Sequence, residues 1–302
     1  MSPSTPSTSR PRLPRFTRSR TPPPIHLTER DVRILDTISA YRLLTREQIQ
    51  RLLFAPTGTT ACKRRLMLLY QAGLLGRTPL PLRNAYGAAR AIYYVERAGI
   101  QALTLQREEA PDYATPSKHP ASEFFLEHAL DTADVRISFE LACRELGYGF
   151  LWIDETRLRR DGVRLRMVET PSARAAAIIP DGFFTITAGG VTDGFAVEVD
   201  RSTVSEERMR RRLRAYGAWA AAGMLEPALA CDSLRVLIVV TNDARDHHRV
   251  ERLKGWAEAE GGRSLFWFAG RDALASANII DAPVWVVGGG TDHQSLPLSG
   301  AP

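Results

Sequence analysis

The sequence predicts an α+β protein of two domains, a small helical one followed by a larger one in which strands and helices alternate. Three observations support this fold class. The 302 residues suit two domains, since single domains span roughly 100–200 residues. Three amphipathic helices and two short extended stretches fill the first third, and helices alternate with apolar strands after it. A 44% share of hydrophobic residues is enough to form a core in each domain.

Breaks in composition set the expected bounds of the domains. Residues 1–24 are rich in Ser, Thr, Pro and Arg, which predicts a disordered basic tail. The first domain is expected to cover 25–105, and a polar, proline-containing linker covers 106–120. The second domain is expected to cover 121–288, and the last residues, 289–302, are predicted to form another tail.

The first domain opens with two predicted helices that each carry a capping box. Thr28 precedes the first amphipathic segment, and Asp31 follows three residues later. Thr45 and Gln48 repeat this arrangement before the second helix. In a capping box the two side chains satisfy each other's backbone N–H groups, so both positions predict helix starts.

A third helix is predicted from Thr59 or Thr60 to Gly73, a residue type that commonly follows a helix C-terminus. Two short extended stretches around a Pro/Asn/Gly turn come next, and then a short helix. Three helices followed by a hairpin is the order of a winged helix-turn-helix domain, whose third helix enters the major groove of DNA.

Basic residues concentrate in this first domain. Residues 25–105 carry a net charge of +7 and the tail carries +5, whereas the remainder carries −6. The predicted third helix and hairpin supply the expected DNA contacts: Lys63, Arg64, Arg65, Arg77, Arg83 and Arg90. We therefore predict double-stranded DNA as the partner. The alternative is a domain that binds protein and whose basic run is only a solvated face.

The second domain begins with a long predicted helix that ends near residue 146. Strands are then predicted at 149–153, 163–169, 177–186 and 195–200, and a Gly-rich turn joins the last two into a hairpin. A charged helix with five arginines follows, which is either a solvated face or a track for phosphate groups. An unbroken apolar run after it predicts a central strand, and a helix and two further strands complete the domain.

Strand alternation places Glu198 and Asp200 on one face of their strand. Two carboxylates on a core strand need a cation or hydrogen-bond donors beside them. The hairpin places Asp181 near them, and Glu127 or His128 on the long helix could complete the site. Acidic oxygen ligands of this kind suit Mg²⁺ or Mn²⁺, which can activate water against a phosphodiester.

At these residues the chain resembles the PD-(D/E)XK fold of restriction endonucleases, an α/β nuclease-like domain. From about residue 25 to 270 it also resembles the replication-relaxation family of plasmid-associated proteins. The segments that carry the second resemblance are Tyr94–Gly99, Glu127 with His128, Pro180–Gly182, Glu198–Thr203 and Tyr216. This resemblance implies a role in plasmid replication and in relaxation of plasmid DNA.

The nuclease resemblance assigns Asp181 and Glu198 to metal binding, with Glu127 as a further candidate ligand. The motif's lysine falls on Asp200, and this is the main departure from the pattern. Arg201 or Arg212 could supply positive charge, but arginine stays protonated and cannot act as a base. Asp200 is then either a third metal ligand or the structural ion-pair partner of Arg201. The domain is accordingly either catalytic, with Mg²⁺ or Mn²⁺, or a non-catalytic domain that keeps the fold.

Three functions remain open at this point. The first is a DNA-binding protein that serves replication or relaxation of a plasmid or other mobile element, with a degenerate nuclease-like domain. The second is a Mg²⁺-dependent DNA endonuclease or nickase. The third is a non-catalytic adaptor that binds a relaxase, a replication initiator or a second copy of the chain as a homodimer.

Two observations bear on the compartment. The chain has no apolar run of about 18 residues and no apolar N-terminal segment, so neither a membrane-spanning nor a secreted protein is expected. Its three cysteines, Cys62, Cys143 and Cys231, lack the spacing of a metal site or a disulfide framework. This favours the reducing cytoplasm.

Overall fold

The computed structural model describes residues 17–21, 24–80, 90–106, 123–161, 178–221, 229–241, 248–262, 264–275, 278–290 and 292–301. The chain divides into two compact units, Met1–Leu126 and Glu127–Pro302. The strand predicted at 163–169, and Arg83, lie outside the described residues. Within the described ranges, no helix is long and apolar enough to span a bilayer.

The first unit contains helices and short strands in an order close to the predicted one. They are α1 (Glu29–Tyr41), β1 (Leu44–Thr45), α2 (Arg46–Leu53), α3 (Thr59–Gln71), β2 (Leu75–Pro79), β3 (Ala91–Val95) and α4 (Arg97–Gln106). Among the described residues the strands form an antiparallel sheet in the order β1-β3-β2. Both predicted capping boxes, Thr28 with Asp31 and Thr45 with Gln48, are present. Gly73 follows α3 with a φ of 75°, a left-handed conformation that favours glycine.

A buried ion pair joins the first and third helices of this unit. Asp31 of α1 is fully buried, and its Oδ1 accepts a hydrogen bond of 2.6 Å from Nε of Arg65 on α3. Burial opposes ionisation of Asp31, but hydrogen bonds from Arg65 and Thr28 hold its pKa below the ordinary value. Arg65 was predicted to contact DNA. Because a buried carboxylate requires a partner, we assign Arg65 to this ion pair instead.

Part of the predicted N-terminal tail is attached to the first unit. The guanidinium of Arg18 donates hydrogen bonds to the carbonyl oxygens of Tyr70 (3.1 Å) and Leu75 (2.9 Å) and to Glu96 (3.1 Å). The side chain of Gln71 bonds the backbone on either side of Arg18. Residues 17–21 are therefore ordered against the end of α3, which corrects the expectation of a disordered tail for this segment.

The second unit is built on a mixed sheet. Its first element is α5 (Glu123–Leu146), which belongs to this unit from Glu127 onward. The others are β4 (Gly149–Asp154), α6 (Glu155–Arg160), β5 (Gly182–Ala188), β6 (Val191–Asp200), α7 (Glu206–Ala221), β7 (Ser233–Val240), α8 (Arg249–Ala259), β8 (Phe266–Gly270), β9 (Trp285–Val287) and β10 (His293–Gln294). In the described part of the chain the strand order is β10-β9-β8-β7-β6-β5-β4. Strands β4, β5 and β6 form an antiparallel meander, and β6, β7 and β8 run parallel.

Alternation along the central strands divides the core of the second unit into two clusters. Val197, Val199 and Leu237 pack with Val135 and Phe139 of α5. The intervening residues of the same strands pack with side chains of α7 and α8. Since successive side chains of a strand point to opposite faces, helices cover both faces of this sheet.

Two segments of the second unit differ from the predictions. Helix α6 follows the strand predicted at 149–153, where no helix was predicted, and it begins because the Asp154 side chain accepts the backbone N–H of Arg157 at 2.9 Å. The segment predicted as a tail, 289–302, contributes β10 and the buried Leu296. Ser299 donates two hydrogen bonds of 2.7 Å to Asp193. These contacts attach the last described residues to the sheet and correct the predicted boundary.

Candidate functional site

Asp181 and Glu198 lie close together at one end of the β5–β6 hairpin. Gly182, the first residue of β5, pairs with Val197, and Asp181 comes just before it. The backbone N–H of Asp181 donates to the carbonyl of Val197 at 3.0 Å. Asp181 Oδ2 in turn accepts the N–H of Val199 at 2.7 Å. The charge of Asp181 acts on the carboxyl group of Glu198, so the hairpin brings these two predicted ligands together.

Two side chains of α7 engage the carboxylate of Glu198. The Tyr216 hydroxyl donates to Oε1 at 2.6 Å, and Arg212 Nη1 forms an ion pair with Oε2. Glu198 is only 2% exposed. Burial raises the pKa of Glu198 to about 7, although Arg212 acts in the opposite direction. Burial and the neighbouring carboxylate raise the pKa of Tyr216 well above its ordinary value.

His128 of α5 completes this cluster. Its Nε2 lies 3.1 Å from Asp181 Oδ1. Burial opposes protonation of the imidazole, but the hydrogen bond to Asp181 and the charges of Asp181 and Glu198 raise the pKa of His128 above its ordinary value. Of the two residues predicted to close the site from the long helix, His128 therefore contacts the acid pair.

Asp200 belongs to a separate ion pair. Its carboxylate is fully buried and accepts hydrogen bonds from Nε (2.7 Å) and Nη2 (3.3 Å) of Arg249, the first residue of α8. Arg249 also donates to the carbonyl of Val204 at 3.0 Å and lies over the ring of Trp256. The structure thus pairs Asp200 with Arg249, because a buried carboxylate on this face meets the arginine of the helix that covers it.

Arg201 joins the end of β6 to α5. It pairs with Glu127, and its Nε lies 3.2 Å from Asp131 Oδ2. Glu127 and Asp131 are four residues apart on one face of the helix. Arg271 and Thr241 donate to Asp131 at 2.7 and 2.9 Å. Glu127, predicted as a metal ligand, and Arg201, predicted near the catalytic site, therefore serve this ion-pair network.

A divalent cation does not fit the acid pair as it is arranged. Asp181 and Glu198 present four carboxylate oxygens, and each of them is within hydrogen-bond reach of a protein group. No group of three or more His, Cys, Asp or Glu residues is placed to hold a metal in the ranges that the structure describes. Mg²⁺ is commonly held by one or two carboxylates and several waters, so an ion here would have to take carboxylate oxygens that these protein groups engage.

The predicted DNA-contact residues of the first unit occupy α3 and the β2–β3 hairpin. Lys63 and Arg64 are exposed on α3, and Arg90 is exposed just before β3. Arg77 lies on β2, where its guanidinium sits 4.7 Å from the ring centroid of Tyr70. These side chains leave a basic surface on the helix and on the strand ends.

Comparison with known proteins identifies the family. The sequence model of the family described as replication-relaxation matches residues 35–260. The chain belongs to the replication-relaxation family. The match runs from α1 to the end of α8 and so includes both units. No curated protein matches the chain.

Two solved structures are similar to this replication-relaxation protein. One is restriction endonuclease FokI bound to DNA, at 9% identity and a TM-score of 0.29, covering 81% of this chain and 43% of that one. The other is restriction endonuclease FokI, at 12% identity and a TM-score of 0.27, covering 80% and 41%. The chain thus spans less than half the length of each.

The arginine run of α7 is largely paired with acids in this family member. Arg210 donates to Glu206 at 2.8 Å, and Arg211 donates to Glu207 at 3.1 Å. Arg214 donates to Glu260 at 3.1 Å. These surface pairs favour the interpretation of a solvated helix face over that of a phosphate track.

The glycine of the Pro180–Gly182 segment is required by a neighbouring ring. A Cβ on Gly182 would lie 2.2 Å from Trp152 Cζ2, and the Trp152 ring is buried against Phe184. We expect Gly182→Ala to destabilise the second unit by about 1–3 kcal/mol, as overpacking does. Urea unfolding monitored by circular dichroism measures the change in the free energy of unfolding.

The matched control for that prediction is Gly217→Ala on α7. Apart from its chain neighbours and the backbone of its own helix, no atom of the described residues lies within 4 Å of the Cβ position at Gly217. Alanine in a helix is favoured over glycine, so this variant should be at least as stable as the wild type. Equal stability of Gly182→Ala and wild type would contradict the assigned role of the glycine.

Proposed function

We propose that this replication-relaxation protein binds duplex DNA through a winged helix-turn-helix domain and that its second domain is a non-catalytic nuclease-like domain. Its setting is the replication or relaxation of a plasmid or other mobile element. The observation that carries the proposal is the exposed pair Lys63 and Arg64 on the third helix of the first unit.

The order of elements in the first unit supports a winged helix. Three helices precede the β2–β3 hairpin, and the short β1 between α1 and α2 pairs with β3. Cys62, Leu66 and Leu69 bury one side of α3, whereas Lys63 and Arg64 are exposed. A third helix with a buried apolar side and an exposed basic side suits insertion into the major groove, with the hairpin arginines on flanking phosphates.

The order of elements in the second unit supports a nuclease-like scaffold of the PD-(D/E)XK type. Helix α5 is followed by the three antiparallel strands β4, β5 and β6, with the short α6 between the first two, and then by α7 and by β7, which runs parallel to β6. Asp181 and Glu198 hold the motif's acidic positions. The position of its lysine is Asp200, which Arg249 neutralises in the core. Without a lysine there, and with the acids already bonded, we propose that the domain does not cleave DNA.

Binding to duplex DNA tests the proposal most simply. For the full chain we expect the logarithm of the binding constant to fall steeply with the logarithm of salt concentration, because phosphate contacts release counterions. The double variant Lys63→Gln with Arg64→Gln should bind about tenfold or more weakly, and its salt slope should be smaller by about two. Fluorescence anisotropy of a labelled duplex gives both quantities.

Arg33→Gln is a suitable control, because it removes one positive charge from an exposed position on α1. It should change the affinity far less than either single substitution on α3. Equal weakening by Arg33→Gln and the α3 substitutions would show a non-specific effect of net charge. Absence of duplex binding by the wild type would overturn the proposal and favour the adaptor that binds a protein partner.

A further inference from the structure

We infer that Arg212 occupies the place between Asp181 and Glu198 that a divalent ion takes in a metal site, so that the acid pair excludes metal by means of its own cation. This inference concerns the second unit alone. It goes beyond the proposed DNA binding, which rests on residues of the first unit.

The hydrogen bonds of the cluster account for each carboxylate oxygen. Arg212 and Tyr216 engage the two oxygens of Glu198. His128 and the backbone N–H of Val199 engage the two oxygens of Asp181. Protein donors therefore stand where the ligand bonds of a metal would be directed.

The charges lead to the same conclusion. Asp181 and Glu198 lie close together at one end of the hairpin, and two neighbouring carboxylates repel each other unless a cation neutralises them. Arg212 supplies a charge that does not depend on pH, whereas His128 is positive only when protonated. The Arg212 guanidinium already engages Oε2 of Glu198, so a divalent ion that uses this oxygen would have to displace Arg212 from it.

The exposure of the side chains shows from where a metal would enter. The Glu198 side chain is 3% exposed, whereas that of Arg212 is 34% exposed. Arg212 thus lies on the solvent side of the buried carboxylate. Replacing it by a neutral residue opens the acid pair to solvent while His128 and Tyr216 remain in place.

Calorimetric titration of the full chain with Mn²⁺ tests the inference. The wild type should show no heat of Mn²⁺ binding that is lost in Asp181→Asn. Arg212→Gln should bind Mn²⁺ at one site with at least tenfold higher affinity than wild type, and adding Asp181→Asn should abolish this binding. Arg212→Lys keeps the positive charge and should gain no site. Arg211→Gln is the matched control, because it removes an equal charge from a residue paired with the exposed Glu207.

Two results would overturn the inference. One is Mn²⁺ binding by the wild type that Asp181→Asn removes. The other is a folded Arg212→Gln that gains no affinity for Mn²⁺. If the glutamine variant does not fold, Arg212→Met preserves the length of the side chain, and a rise in its unfolding temperature with added Mn²⁺ gives the same information. Since these titrations contain no DNA, failure of duplex binding would leave their outcome unaffected.

Discussion

Arg249→Met is expected to destabilise the second unit by about 3–5 kcal/mol, because it leaves Asp200 buried without its partner. The Asp200 side chain is fully buried, and two hydrogen bonds from Arg249 are its contacts with charge of opposite sign. Methionine keeps most of the apolar length of arginine, so the loss of packing against Trp256 should contribute little. Urea unfolding followed by tryptophan fluorescence measures the change.

A double-mutant cycle separates the ion pair from the packing. Asp200→Asn combined with Arg249→Met should be more stable than Arg249→Met alone, since no charge then remains buried. Arg252→Met on the exposed side of the same helix is the control for charge and helix propensity. A loss of less than about 1 kcal/mol in Arg249→Met would contradict a structural role for the pair.

The free energy of unfolding of the second unit is expected to fall as pH rises from about 5 to about 8. The pKa of Glu198 is about 7 in the folded chain, above its ordinary value of 4.5. Between these two values the unfolded chain releases its proton while the folded chain keeps it, so rising pH favours unfolding. The loss amounts to roughly 3 kcal/mol and is complete above the folded pKa.

The groups around Glu198 determine the width of this pH window. Arg212 and Tyr216 face it from α7, Asp181 faces it from the hairpin, and His128 approaches from α5. The raised pKa of His128 acts in the same direction, since its contribution is lost as pH rises through neutrality.

Glu198→Gln is the variant that isolates this effect. It should show a much flatter dependence of stability on pH, because glutamine does not titrate. Glu207→Gln, at an exposed position on α7, should follow the wild-type curve. Stability that rises with pH over this range, with the same curve in Glu198→Gln, would contradict the assigned pKa.

Features that depend on neighbouring residues could be predicted from the sequence. The capping boxes of α1 and α2 each involve residues three apart, and both are present. The proximity of Asp181 to Glu198 followed from one hairpin, in which Gly182 pairs with Val197. Local hydrogen-bonding rules determine such features, so one segment of sequence is enough to recognise them.

Features that depend on distant segments could not be predicted in this way. Strand alternation placed Glu198 and Asp200 on one face, but it could not show that α7 covers the first and α8 the second. Arg249 follows Asp200 by 49 residues, and Ser299 follows Asp193 by 106. A side-chain partner at such separation is determined by tertiary packing. The one missed local signal was Asp154, a helix-capping residue before α6.

The most direct test of the whole account is the affinity of the full chain for duplex DNA in excess EDTA, measured across a range of salt concentrations. The account predicts that binding persists without divalent metal and weakens steeply as salt increases. Binding that is absent in EDTA and restored by Mn²⁺, or that is indifferent to salt, would contradict it.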